Sequence, residues 1–214
     1  GIVAQRGTWA VGQVDPGSHT DGETDSFDRM RNVLVTTCLN EGDGVDDWIE
    51  DVNRQTRLPD EVVVVDGGST DGTIDILRSW KSDRFKIQIA MRNGCTVAQG
   101  RNVAIRMSDA PVIISTDMGC RLAPTWFESI VRPLERDGSC DVAIGNYPVD
   151  PTSLTSLSAR VDYYLNNKYR GVLSAGTVPT SRTIAYRRKV WEQEDGYPED
   201  LRYAGDDLIF GLQI

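Results

Sequence analysis

Any acid–base chemistry in this chain must be done by carboxylates. Its 214 residues include a single histidine, His19, in a polar Gly/Ser/Asp/Thr-rich stretch. That argues against histidine triads and multi-histidine metal sites. Three groups of acids stand out by their spacing. Asp66 and Asp71 bracket Gly67-Gly68-Ser69-Thr70 directly after Val62-Val63-Val64-Val65. Asp117 follows the apolar run Val112-Ile113-Ile114, and Asp206-Asp207 form an adjacent pair. A carboxylate emerging at a strand end suits Mg²⁺ or Mn²⁺, which complete their shells with waters and phosphate oxygens. The plainer alternative for Asp117 is a turn residue bonded to its own backbone. Repulsion between adjacent acids raises the pKa of one of them and makes it a better base near neutrality. Equally, paired acids favour helix N-termini through the macrodipole.

The elements that must position these acids follow from the patterning. Four consecutive valines predict a strand buried on both faces, as in a parallel sheet covered by helices. Val33–Leu39, Phe85–Ala90, 112–114, Asp141–Tyr147 and Thr183–Tyr186 are further strands. Between them lie apolar stripes at helical spacing. Val45, Trp48, Ile49 and Val52 form one, Ile74 and Leu77 another, and Val97, Gly100, Ala104 and Met107 a third. Phe127, Ile130, Val131 and Leu134 mark a helix opened by Pro124, with Pro133 predicting a kink or an early end. Leu154–Asn166 and the segment from Asp206 onward complete the set. This alternation predicts an α/β fold, a Rossmann-like and mostly parallel sheet with helices on both faces. Ligands of such sheets bind outside the carboxyl ends of the strands, where Asp66, Asp71 and Asp117 stand. Asp71 also reads as a plain helix N-cap, and Asn40 as a cap for the helix beginning near Asp43.

Bulk properties narrow the class. A net charge of -9 argues against a nucleic-acid binder, because phosphate contacts need clustered Lys and Arg. No apolar run approaches the roughly 20 residues of a membrane span. Cys38, Cys95, Cys120 and Cys140 lack C-x-x-C spacing, and Cys38 falls in a buried strand, so reduced thiols are expected. Residues 1–30 are polar and Gly-rich and read as a flexible arm or linker, with short strand tendencies at Ile2–Ala4 and Thr8–Val14. The globular domain spans 31–214.

Five blocks in order resemble the family 2 glycosyltransferases of GT-A type. They are Val33 to Glu41, Glu61 to Thr73, Gly100-Arg101-Asn102-Val103-Ala104, Thr116 to Cys120, and Gly205-Asp206-Asp207-Leu208. The resemblance implies an inverting transfer of a sugar from a nucleotide-diphosphate donor to an acceptor hydroxyl, in polysaccharide or glycolipid synthesis. It implies that Asn40, Glu41 and Asp66 hold the base and ribose, and that Asn102 points towards the donor. Arg101 is expected to pair with an acid such as Asp66. Asp117 would bind Mg²⁺ or Mn²⁺, and Asp207 would be the base with Asp206 beside it. Arg182, in a run similar to the family's donor- and acceptor-lining segment, is the candidate diphosphate contact, since a guanidinium grips phosphate bidentately. Trp191 and Tyr197 shape an acceptor pocket or anchor the core, and Arg187, Arg188 and Lys189 read as solvated surface. Two departures stand out: Gly119 replaces the family's second metal-motif acid, and Leu39 replaces an aromatic that stacks on the base. The family normally continues beyond the acidic motif. The resemblance therefore implies a C-terminally truncated domain, a saccharide or lipid-linked acceptor, and peripheral membrane association through the missing part. It further implies a cytoplasmic location, at the inner membrane face.

Two competing readings remain. A non-catalytic nucleotide-sugar-binding or scaffold domain is kept in play by Gly119. A sugar-phosphate nucleotidyltransferase would want a basic Gly-rich loop, whereas Asn40-Glu41-Gly42-Asp43-Gly44 is acidic. No G-x-G-x-x-G follows the first strand, which disfavours a dinucleotide oxidoreductase.

Overall fold

The computed structural model describes residues 2–6, 8–12, 29–42, 44–145, 180–201 and 205–214. Strands are β1 (Ile2–Arg6), β2 (Thr8–Gly12), β3 (Asn32–Cys38), β4 (Glu61–Asp66), β5 (Lys86–Met91), β6 (Val112–Ser115), β7 (Val142–Ile144) and β8 (Ile184–Arg187). Helices are α1 (Gly44–Asn53), α2 (Thr73–Ser79), α3 (Val97–Arg106), α4 (Trp126–Arg136), α5 (Arg188–Gln193) and α6 (Asp206–Gln213). The expected helix at Leu154–Asn166 and the end of the strand read to Tyr147 lie outside the described residues, as does His19.

One sheet carries the order β2-β1-β7-β8-β6-β3-β4-β5. β3, β4, β5 and β6 pair in parallel, and β8 runs against both β6 and β7. Thus β2, β7, β6, β3, β4 and β5 share one direction, while β1 and β8 oppose it. The arm expected at 1–30 needs correction at its start. β1 and β2 form a hairpin, and β1 joins the sheet on β7 with Val3 opposite Ile144.

Strand alternation divides the core into two layers. Leu34, Val62, Val64 and Ile114 face α1, α2 and α4 through Trp48, Leu77 and Phe127. Val33, Val35, Val63, Val65 and Ile113 face α3, α5 and α6 through Ile105, Val190 and Phe210. All six residues of β4 are buried, as the valine run requires. Each such valine contributes roughly 1.5–3 kcal/mol of burial. Gly100 lets α3 sit close to β3: a Cβ there would lie 2.6 Å from Thr37 Cγ2. Pro133 does not end α4, which continues to Arg136. Among the described residues, no helix is long and apolar enough to cross a membrane.

Candidate active site

Parallel registry brings several strand ends to one edge, with Cys38 level with Asp66 and Val35 level with Ser115. β8 is antiparallel and starts beside Ser115, so the residues just before it reach the same edge. There a cleft of about 880 Å³ opens, bordered by Leu39, Glu41, Arg101, Asp117, Trp126 and Arg182 among others.

Asp66 closes the turn after β4. It is fully buried and accepts from the Gly68 and Ser69 amides at 2.9 Å each and from Ser69 Oγ at 2.5 Å. Burial alone would raise its pKa, but these donors outweigh it and hold the carboxyl below its ordinary value. Asn40 adopts a left-handed φ of 56°. It accepts from the Thr70 amide at 2.8 Å, while its own amide donates to Ser69 Oγ at 2.8 Å. Asp71 accepts from the amide and hydroxyl of Thr73 at 3.1 and 2.7 Å, and Thr73 Oγ1 in turn accepts from the Glu41 and Gly42 amides at 3.1 Å. Asn40, Asp66 and Asp71 thus tie the β3–α1 and β4–α2 loops together beside the cleft. The plain N-cap reading of Asp71 needs correction: Gly72 stands at the N-cap of α2 with no side-chain cap hydrogen bond, and Asp71 closes a turn onto Thr73. Of the residues expected to hold the base and ribose, Glu41 borders the cleft.

Arg101 does not reach Asp66. Its guanidinium, nearly fully buried, donates Nη2 to Asp117 at 2.6 Å and Nη1 to Asp206 at 2.9 Å. It also lies over the Tyr197 ring, 5.5 Å from the centroid. Arg182 Nε donates to the other Asp117 oxygen at 3.3 Å. Burial raises the Asp206 carboxyl above its ordinary value; Arg101 opposes the shift and Asp207 adds to it. Asp207 is half-exposed and accepts from the Leu208 amide at 2.9 Å.

Asn102 does not point into the cleft. It donates to Tyr197 O and Glu199 Oε1 at 2.8 and 2.9 Å, and accepts from Trp191 Nε1 and the Tyr197 amide at 3.0 and 2.9 Å. Trp191 and Tyr197 thereby anchor the core. Arg187 and Arg188 are also not plain solvated surface, since they donate to carbonyls of Leu134 and Ser108 at 2.7 and 2.8 Å.

The donor set at Asp117 fits an oxygen-seeking divalent cation in part. Each carboxylate oxygen has two lone pairs, so an arginine on one leaves capacity for a cation. Glu41 stands across from it, its carboxyl raised first by burial and then by the charge of Asp117. A Cβ at Gly119 would lie 3.9 Å from Glu41 Oε2, so Glu41 carries a carboxylate to the side vacated at 119. Among the described residues, no group of three or more His, Cys, Asp or Glu is arranged for a metal. Phosphate oxygens and waters would have to complete the shell.

Sequence reasoning missed two features. Asp51, buried on α1, accepts from Arg121 Nε at 2.7 Å and the Leu122 amide at 2.9 Å, and Gln55 Nε2 donates to Ala123 O at 2.9 Å. These side chains pin the loop after Asp117. A polar residue falling on an apolar helical face is the signal for both. Trp126, the other omission, lies just before the apolar stripe of α4 and borders the cleft.

Comparison with known proteins places this architecture. Residues 33–193 match the profile of the family described as Glycosyl transferase family 2. Validoxylamine A glucosyltransferase of Streptomyces hygroscopicus subsp. limoneus is 34% identical over 127 residues, covering 57% of this chain and 28% of that protein. The mannosyltransferase PcManGT of Pyrobaculum calidifontis, solved with GDP-Man and Mn²⁺, superposes with a TM-score of 0.62 at 21% identity. That match covers 81% of this chain and 49% of the other. S. aureus TarS 1-349, solved with UDP-GlcNAc, gives a TM-score of 0.61 at 19% identity, covering 86% and 53%. The chain thus spans about a quarter to a half of these proteins, and the two structural matches speak to the fold, which is of GT-A type.

Proposed function

The chain belongs to glycosyl transferase family 2, and from that premise we propose that it transfers a sugar from a nucleotide-diphosphate donor to an acceptor hydroxyl with inversion. The observation that carries this reading is the cluster at the end of β6, where Asp117 meets Arg101 at 2.6 Å and Arg182 at 3.3 Å inside the cleft. A carboxylate between two guanidiniums supports binding of a diphosphate. Arg182, half-exposed and on the longer contact, turns from Asp117 to the phosphate oxygens, while buried Arg101 keeps Asp117 in place.

Asp117 and Glu41 would hold Mg²⁺ or Mn²⁺ against the diphosphate, and the cation's chemistry there is neutralisation of the leaving group's charge. The complexes of related folds with GDP-Man and Mn²⁺ or with UDP-GlcNAc support a nucleotide-sugar donor. Asp207 accepts the proton of the attacking hydroxyl. Asp206 is engaged by Arg101 and so fixes the start of α6, leaving the half-exposed Asp207 as the free base. The acceptor is a saccharide or lipid-linked hydroxyl, and polysaccharide or glycolipid synthesis at the cytoplasmic membrane face is the setting this reading supports.

The test is nucleotide release from UDP- and GDP-sugars with Mn²⁺ and an acceptor present. Turnover lost in Asp207→Asn with nucleotide binding retained is the expected result. Binding without turnover in the unmodified chain would point instead to a binding domain.

A further inference from the structure

The sheet order fixes how a ligand lies along the cleft. β4, β3, β6 and β8 are consecutive neighbours, so the wall runs from Gly67 and Leu39, past Asp117, to Arg182 and Thr183. Three strand spacings span about 14 Å, a length suited to an extended nucleoside diphosphate carrying a pyranose. Leu39 and Val97, 56% and 49% exposed, offer apolar surface at the first end. Arg101 and Asp117 supply charge in the middle, and Arg182 reaches Asp117 from the β8 side. The β8 end is left for the sugar.

Trp126 stands at that end. Its Nε1 donates to Thr183 Oγ1 at 2.9 Å, which fixes the indole, and the ring is partly buried against the core layer that Phe127 belongs to. Thr183 is itself closely fitted: a Cβ at Gly145 would lie 2.2 Å from Thr183 Oγ1, so that position has room for glycine alone. The other described tryptophan side chains are occupied elsewhere. Trp48 and Trp80 are buried in the core, and Trp191 is bonded to Asn102. An indole whose N–H is already satisfied presents only apolar ring surface to a ligand. That surface matches the C–H face of a pyranose and has no hydrogen bond to give a phosphate.

We propose that Trp126 is the sugar-facing wall of the donor subsite, its indole held by Thr183 and packed against the pyranose ring of the nucleotide-bound sugar. The proposal rests on the donor reading above.

Calorimetric titration of the unmodified chain, Trp126→Ala, Trp126→Phe and Thr183→Val with Mn²⁺ and UDP, UDP-glucose, GDP or GDP-mannose tests it. Circular dichroism confirms that each variant is folded. Whichever nucleoside diphosphate the unmodified chain binds selects the pair to compare. Trp126→Ala should weaken the sugar nucleotide about tenfold and leave the sugar-free diphosphate within about twofold. Trp126→Phe should retain most of the affinity, and Thr183→Val should lose part of it, again for the sugar nucleotide alone. Equal losses for both ligands, or no loss for either, would overturn the proposal. A change confined to the acceptor's KM would also overturn it, moving the contact to the acceptor sugar. If the unmodified chain bound no nucleoside diphosphate, the donor reading itself would fail, whatever the variants did.

Discussion

Arg101 Nη1 lies 2.9 Å from Asp206 Oδ2, joining α3 to the start of α6 across 105 positions of sequence. The same guanidinium holds Asp117, so one buried cation couples the carboxylate at the end of β6 to the acidic pair. Removing it leaves Asp206 without its counter-charge and Asp117 with the longer contact to Arg182. Arg101→Met should cost about 3–5 kcal/mol of stability, read from denaturant midpoints. Arg101→Lys should recover only part of this, because an ammonium lacks the fork that reaches both acids. A neutral result for Arg101→Met would mean that the coupling is not structural.

The acidic pair should separate by role. Asp207→Asn is expected to reduce turnover by about 10²–10⁴ with folding and nucleotide binding intact. Asp206→Asn should instead destabilise the fold by about 1.5–3 kcal/mol, the worth of a hydrogen bond to a charged group. The opposite pattern in paired turnover and melting measurements would reassign the base to Asp206.

Asp117→Asn and Glu41→Gln should each weaken Mn²⁺-dependent nucleotide binding by at least roughly tenfold, equivalent to about 1.4 kcal/mol, without changing metal-free binding. Mn²⁺ titration by electron paramagnetic resonance reports this directly. Loss with Asp117→Asn alone would remove Glu41 from the cation site and make Gly119 an uncompensated change.

Asp66 has its carboxyl held below the ordinary value by Ser69 and Gly68 against the opposing effect of burial. A depressed folded pKa adds stability that is complete above the unfolded value, about 3.9, and is lost as pH falls through the folded one. Asp66→Asn should therefore lower stability by about 1–3 kcal/mol at neutral pH. The gap from the unmodified chain should narrow below about pH 4. A gap that stays constant from pH 7 to 3 would show that shape, not charge, is what Asp66 provides.

Asn102 makes its hydrogen bonds inside the protein. Asn102→Ala should destabilise by about 1–3 kcal/mol by stranding buried partners. Nucleotide affinity should remain unchanged, and a selective loss of affinity would restore Asn102 to the ligand site.

Sequence periodicity by itself determined the architecture. The all-valine strand had to be buried on both faces, and helical stripes between strands had to cover them. The helices at Val45–Val52 and Val97–Met107 formed where the stripes lay, because burial of one face is what stabilises them. The motifs also placed Asp117 and Arg182 at the cleft, since a strand end is a local feature. What the tertiary structure decided is which polar partners meet. Arg101 chose Asp117 and Asp206 over Asp66 because the β4 turn amides had already satisfied Asp66, while α6 folds back against α3. Asn102 turned to Tyr197 and Trp191 for the same kind of reason, and Trp126 reached the cleft because antiparallel β8 delivers Thr183 beside it. Residue type and strand position are written locally, but hydrogen-bond partnership is a competition among groups far apart in sequence, settled only when the chain has closed.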